Sequence, residues 1–497
     1  MAEASGTQDT ASDSSKEFDL NYGLEEVPPL GEGLLLGLQH YLTMLGSTIV
    51  IPIILTEALG FEHGSVNQAL LISTMFLCSG IATLLQTTFG NRLPIVQGGT
   101  FSFLAPTFAI TGSAAIGGDL PILHVQGAII LGSFVQMAIG YSGGVGWIKQ
   151  YIGPITVAPT IGLIGLALFS IGAPQAGQHW VLGGLTIAAI VICAYYLESA
   201  HRIFDLYPII IGLVFVWIWA TLGSHLFGVY PEGHPAYVDF SAVWDSPTAY
   251  APHPFQWGVP QFGLAAFLGM LAGVFASIIE SIGDYYAVAR LSNIPNPDKS
   301  VFNKGIGMEG VGTFVAGVFG TGNGTTSYSE NVGAVGITKV ASRRVVQYGA
   351  GIMLILGFFP KFAALFTSLP DPIVGGLYCV MFGIISGIGI SNLQFIDMNS
   401  MRNLFIVGFA FFMGLSVPEY FNGLEAGDID VPMWLSYLDQ IGAGGEGPGW
   451  LGQMIRILGK TGMAVGAILA FFFDNTIPGD REERGLHVWS EAPESIG

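Results

Sequence analysis

Charge is what this sequence has least of. Only 10% of its 497 residues are Asp, Glu, Lys or Arg, against about 25% in soluble domains. That scarcity excludes an ordinary water-soluble chain. Positive charge is rarer still, with 16 Lys and Arg against 35 Asp and Glu, a net charge of -19. A basic surface for nucleic acid is therefore excluded. Acids gather in both tails and in the loops around 226–250 and 419–446. A cell with high internal salt would tolerate such a surface, because salt screens its repulsion. Cysteine is limited to Cys78, Cys193 and Cys379. An odd, scattered set provides no disulfide framework and no metal spacing, so these read as small buried apolar residues. No basic stretch followed by an apolar core opens the chain, so no cleaved signal peptide is evident. No His-x-x-x-His cluster and no Ser–His or Cys–His pairing suggests an enzyme. The run Gly320-Thr321-Gly322-Asn323-Gly324 lacks the Lys-Ser/Thr ending of a phosphate loop.

What fills the chain is apolar. Hydrophobic residues make up 51%, and mean hydropathy is +0.60. Stretches of about 18–20 apolar residues follow one another, each long enough to cross about 30 Å of hydrocarbon. The expectation is an all-α polytopic membrane protein. Spans are read near 32–56, 66–88, 94–110, 122–141, 152–172, 179–198, 206–226, 262–288, 305–320, 325–341, 345–368, 373–391, 402–418 and 455–473, about fourteen in all. Residues 1–28 read as a disordered acidic tail, 29–473 as the membrane unit, and 474–497 as an acidic cytoplasmic tail.

Basic residues orient the spans. Arg92, Lys149, Arg202, Arg290, Lys299, Lys304, Arg343, Arg344, Arg402, Arg481 and Arg484 fall on one side. The alternate loops at 57–65, 111–121, 173–178, 227–260 and 419–450 hold no Lys or Arg. The positive-inside rule then places both termini in the cytoplasm. Lys361 fits poorly, and Arg456 and Lys460 suit an interfacial helix. Fourteen spans divide as seven plus seven, which makes the second half inverted, a hallmark of secondary transporters. The third span, around Gly98-Gly99-Thr100-Phe101, and the tenth, around Gly320–Lys339, are both polar and broken.

Ionisable groups inside spans are rare and usually functional. Glu280 and Asp284 share a helix face at i, i+4 spacing. Glu330 sits in the broken tenth span, and His40 follows Gln39 in the first. Glu198 is a weaker case. A broken helix leaves unpaired N–H groups with partial positive charge at its N-terminus, here expected near Phe101 and Asn331. Two such ends suit carbonyl oxygens of a ligand, and Glu280 and Glu330 suit its N–H donors. A flat heterocycle with alternating C=O and N–H edges meets both demands, and Phe101 would add an aromatic face. Buried carboxylates are also candidate carriers of a coupling proton or Na⁺. The bland alternatives are a structural polar pair at Glu280 and Asp284, a packing role for His40, and a helix-end role for Glu330.

These residues resemble the nucleobase–ascorbate transporter family. Its signature is matched by Glu330-Asn331-Val332-Gly333, then Thr338-Lys339. Gln39-His40 matches its first-span pair, and Glu280 with Asp284 its eighth-span acids. The scaffold is similar to the animal and plant branch through Gly320–Gly324, Ser342–Gln347 and Ser391–Asp397. The resemblance implies short strands in segments 3 and 10. It implies a core (32–141 and 262–368) moving against a gate (152–226 and 373–473), usually in a homodimer. It implies that Glu280, Glu330 and the groups near Phe101 and Ser329 bind a nucleobase, while His40 and Asp284, with Gln39, orient the carboxylates or serve coupling to H⁺ or Na⁺. No cofactor or resident metal is implied. The ascorbate transporters of this branch carry Pro where this chain has Glu330, so the site is expected to be that of a nucleobase carrier in the plasma membrane. The alternatives are an ascorbate or other organic-anion carrier and, more remotely, an intramembrane enzyme or channel.

Overall fold

A computed structural model describes residues 19–112, 119–197, 199–294, 297–424 and 450–486. Its first half runs α1 (Leu30–Leu55), α2 (Val66–Thr88), β1 (Gln97–Gly99), a 3-10 turn (Phe101–Phe103) and α3 (Leu104–Thr111). Then come α4 (Pro121–Tyr141), α5 (Val145–Tyr151), α6 (Pro154–Leu166), α7 (Phe169–Ala176), α8 (Trp180–Val191), α9 (Arg202–Leu206) and α10 (Pro208–His225). The connection to the second half carries α11 (Ser241–Asp245). The second half runs α12 (Leu264–Leu291), α13 (Lys299–Phe319), β2 (Thr325–Ser327), α14 (Ser329–Thr338), α15 (Arg343–Gly357), α16 (Pro360–Thr367), α17 (Asp371–Ser391) and α18 (Met401–Asn422). It closes with α19 (Trp450–Lys460) and α20 (Gly462–Thr476).

Local sequence explains where many of these begin and end. Proline opens α4, α6, α10 and α16, where its missing N–H has no helical partner to lose. Ser65 caps α2 by accepting from Gln68 N at 3.3 Å. Gly320 stops α13 at φ 78°, a left-handed conformation that glycine adopts without strain. The glycine run that follows is thus a turn into β2, held where Trp257 Nε1 donates to Gly320 O at 2.7 Å.

Eight of the described helices are long and apolar enough to cross a membrane, or ten when each of two sharply bent pairs counts as one span. The pairs are α15 with α16, bent by 82°, and α19 with α20, bent by 91°. The larger expected number counts Pro154–Tyr196 twice and adds α13 and the two broken segments.

The helices pack in two groups. In one, α13 lies on α4 and α2, α15 on α1 and α2, and α12 on α4. In the other, α17 lies on α6, α7 and α8, and α20 on α18 and α6. Helix α19 touches both, through α12 and α18. Lipid supplies no hydrophobic drive between helices, so close contact depends on small residues. At the α1–α15 crossing, a Cβ on Gly37 would sit 2.8 Å from Gly349 N.

Residues 19–28, expected within a disordered tail, are packed against a distant connection, and residues 474–486 of the other tail are packed as well. From Asp19 onward the N-terminal segment is strapped to the α14–α15 connection. Asn21 N donates to Lys339 O at 2.7 Å, Ala341 N to Tyr22 O at 2.8 Å, and Arg343 N to Leu24 O at 3.2 Å. Glu25 pairs with Arg343 and, at 3.7 Å, with Arg92. Residues 1–18 lie outside the described residues. At the other end α20 carries Asp474, whose side chain is fully buried between Arg402 at 2.9 Å and Arg484 at 3.1 Å. Asn403 Nδ2 donates to Glu483 O at 2.8 Å. The segment 474–486 is therefore packed structure. Composition marked these stretches as polar, but their partners come from distant connections, which composition does not report.

Candidate functional site

The two broken segments meet. β1 and β2 form an antiparallel ribbon in the register Gln97↔Ser327, Gly98↔Thr326, Gly99↔Thr325. Every one of these residues is buried. Such short strands need other support for their backbone groups, because unpaired ones are costly away from water. Two buried asparagines provide it. Asn331 Oδ1 accepts from Val96 N at 2.8 Å. Asn323 Oδ1 accepts from Thr100 N at 2.8 Å, and its Nδ2 donates to Thr100 O at 3.0 Å. Each strand runs directly into a helix, the 3-10 turn and α3 in one case and α14 in the other. Because the strands are antiparallel, the two helix N-termini approach the ribbon from opposite ends. Each brings partial positive charge to the same small region.

The ribbon tolerates no side chain at Gly98. A Cβ there would overlap Cε2 of the Tyr328 ring, which is itself buried. We expect Gly98→Ala to displace that ring and to cost roughly 1–3 kcal/mol, the usual price of overpacking. Thermal unfolding and uptake measured together would check this, and an unshifted melting curve would refute it.

The carboxylates gather on one side of the ribbon. α12 packs against β2, the 3-10 turn and α14, and carries Glu280 and Asp284 on one face. Ser329 Oγ donates to Asp284 Oδ1 at 2.7 Å, and Ser47 Oγ to Glu330 Oε1 at 2.5 Å. Ser281 Oγ lies 3.0 Å from Thr326 Oγ1, tying α12 to β2. Glu280 Oε2 and Asp284 Oδ2 are buried and accept no hydrogen bond among the described residues. Glu280 stands within Coulomb range of Asp284, Glu330 and Glu309. Four acids in one low-dielectric region, two with idle oxygens, form a site that wants N–H donors, a proton or a cation.

The expected site residues are not all used as expected. Glu280, Asp284, Ser329 and Glu330 come together around the ribbon. Phe101 is buried and opens the 3-10 turn against α12. His40 bonds to no carboxylate among the described contacts. Its Nδ1 meets Asn331 Nδ2 at 2.9 Å, so its first role is to hold the residue that staples the breaks. Gln39, one residue earlier on α1, faces a different cavity. Thr338 Oγ1 donates back to Ala334 O at 2.7 Å, and Lys339 ends α14 at φ 58°. Both signature residues therefore terminate the half-helix. A Cβ on Gly333 would meet nothing within 4 Å. The helix starts at Ser329, two residues before Asn331. Glu198 lies outside the described residues.

One acid was missed. Glu309, on α13, is 1% exposed and accepts from Ser327 Oγ at 2.6 Å and from Tyr285 OH at 2.7 Å. Gln97 Nε2 in turn donates to Ser327 Oγ at 2.7 Å. Glu309 therefore clamps both strands from behind. The signal was present, since it is an acid within the span read at 305–320. Ser47 and Tyr328 gave none, because uncharged polar residues in spans commonly bond to their own helix.

With this geometry in place, comparison identifies the lineage. The signature of the Permease family matches residues 31–423. Solute carrier family 23 member 1 of Rattus norvegicus is 44% identical over 95% of this chain and 83% of its own length. Solute carrier family 23 member 2 of Homo sapiens is 41% identical over 97% and 78%. Nucleobase-ascorbate transporter 1 of Arabidopsis thaliana is 36% identical over 95% and 92%. The chain belongs to the nucleobase–ascorbate transporter family. It is thus a multi-pass membrane transporter and not an enzyme. The transmembrane domain of the cyanobacterial bicarbonate transporter BicA matches with a TM-score of 0.56 at 16% identity, over 80% of this chain and 98% of its own. SLC26A9 matches with a TM-score of 0.55 at 13% identity, over 78% and 63%. At such low identity these two share the fold alone with this family member.

Proposed function

We propose that this transporter imports a nucleobase, uracil or a purine such as xanthine, by symport with H⁺ or Na⁺. The observation that carries the reading is the idle buried oxygen of Glu280, on the helix that packs against both helix breaks. A nucleobase edge brings N–H donors for that oxygen and for Glu330, and carbonyl oxygens for the helix N-termini. The coupling cation then offsets the charge left on a second acid, for which Asp284 has the spare oxygen. The site acids all lie on the helix group containing α1–α4 and α12–α15. Leu206–Ile210, where α9 gives way to α10, stand opposite Glu330, and α10 packs on α8 of the other group. Ligand at such a boundary suits movement of one group, the core, against the other, the gate. We further propose a homodimer in the plasma membrane with both termini cytoplasmic.

Ascorbate is the second reading, since the name of the Arabidopsis relative covers both substrate classes. Clustered acids disfavour an organic anion by like-charge repulsion in low dielectric. Uptake of radiolabelled uracil, xanthine, hypoxanthine and ascorbate into proteoliposomes, with H⁺ and Na⁺ gradients imposed in turn, separates the two. We expect at least one base to accumulate with one of the gradients. Accumulation of ascorbate and no base would overturn the proposal.

A further inference from the structure

Two cavities follow one another along α1 and α14, from Glu330 to the N-terminal strap, and helix periodicity defines their walls. On α1, Leu36, Gln39, Thr43 and Gly46 recur at three- and four-residue spacing and so share a face. On α14, Glu330, Gly333 and Ile337 do the same. The stretch nearest the site is a 210 Å³ cleft between Thr43, Gly46, Glu330 and Gly333, with Tyr207–Ile210 opposite. One helical turn further along both helices lies a 370 Å³ cavity between Leu36, Gln39 and Thr338. Its remaining wall is the strap, through Asn21 and Tyr22, with Glu32 at the rim.

The strap is held by a short set of backbone bonds, by Asn21 Nδ2 donating to Thr338 O and Ser342 Oγ to Glu26 O, and by exposed ion pairs. Its backbone bonds go to the 339–343 connection, directly behind the half-helix that carries Glu330. Tyr22 of the strap and Glu32 of α1 line the same cavity, so the strap reaches from the α14 side across to α1. Its ion pairs involve exposed acids, Asp19 with Lys339 at 3.3 Å and Glu25 with Arg343 and Arg92. Solvent-exposed pairs of this kind contribute little each. The cavity behind the strap is rimmed by Asn21, Glu32 and Gln39, which offer both donors and acceptors to a polar heterocycle leaving the site.

We infer that residues 19–26 are a releasable strap that closes the far end of the substrate path from Glu330, and that its release is a step in ligand exit. The inference rests on the reading that Glu330 belongs to the substrate site.

The full chain, with Cys78, Cys193 and Cys379 replaced by Ala and the reporter Leu36→Cys added, is labelled in nanodiscs with a charged methanethiosulfonate. Tyr22→Ala combined with Glu25→Ala loosens the strap. Labelling is expected to accelerate about fivefold, in line with the loss of a few weak ties. Initial uptake should rise, while equilibrium affinity for the transported compound stays unchanged. Glu25→Ala alone removes only the pairs with Arg343 and Arg92, so it preserves the fold and should shift labelling in the same direction. Uptake is followed with whichever of uracil, xanthine or ascorbate the parent accumulates, so a wrong substrate does not affect the comparison. Equal labelling rates in parent and both variants would overturn the closure. Faster labelling with unchanged uptake would overturn its role in exit. Failure of the parent to take up any of the three would count against the proposed function, while the labelling comparison would still decide the closure.

Discussion

Glu280→Gln is expected to weaken nucleobase binding roughly 100-fold while making the folded protein no less stable. A hydrogen bond from a ligand N–H to a buried carboxylate contributes about 1.5–3 kcal/mol, and the amide also turns an N–H₂ donor toward the ligand's own donors. About 2.8 kcal/mol corresponds to 100-fold in Kd. Stability should move the other way, because Glu280 Oε2 is buried without a partner and shares its surroundings with Asp284, Glu330 and Glu309. Neutralising one of four neighbouring acids relieves repulsion, by about 1 kcal/mol. Binding by titration calorimetry and unfolding by thermal melt would measure the two effects. A purely structural role predicts the opposite pattern, with lost stability and retained affinity. The variant also separates substrate classes, since an anionic ligand such as ascorbate would bind Glu280→Gln more tightly than the parent.

The second large effect is on stability alone. Asp474→Ala should destabilise the fold by roughly 3–5 kcal/mol, the usual consequence of removing one partner from a buried ion pair. Asp474 has no exposed side-chain surface and is shared by Arg402 and Arg484. Arg402 also donates to Ile477 O at 3.0 Å through Nη2, so its loss of a counterion loosens the end of α20. These residues stand apart from the ribbon, so the fraction that still folds should bind ligand with parental affinity. A melting curve within error of the parent would show that the triad carries no stability. Replacing all three residues with apolar ones of similar volume should recover most of the loss, because the desolvation penalty disappears with the charges.

The legibility of the site followed the cost of each residue to a membrane. Glu280, Asp284 and Glu330 were visible because a charge in a span is expensive enough to need a reason. By the same reasoning Glu309 should have been read from its position inside a span. Ser47, Tyr328 and Thr326 were invisible, since a hydroxyl in a span is cheap and has a local carbonyl to bond. Gln39 and His40 appeared as a pair, yet adjacent helical residues point about 100° apart, and the fold sends one to Asn331 and the other to the strap cavity.

The sequence by itself determined the membrane class, the family and the two broken segments that would meet. These depend on composition, on apolar run length and on local motifs, all of which are properties of neighbouring residues. Only the tertiary structure decided what the acids touch and which oxygens remain idle. It alone showed that residues 19–26 and 474–486 fold back onto distant connections, and that the strap cavity follows the Glu330 cleft along α1 and α14. Those are contacts between segments hundreds of residues apart, Asn21 with Lys339 and Ser47 with Glu330. Each forms because helix packing first brings the backbones together, and nothing in either segment alone names its partner.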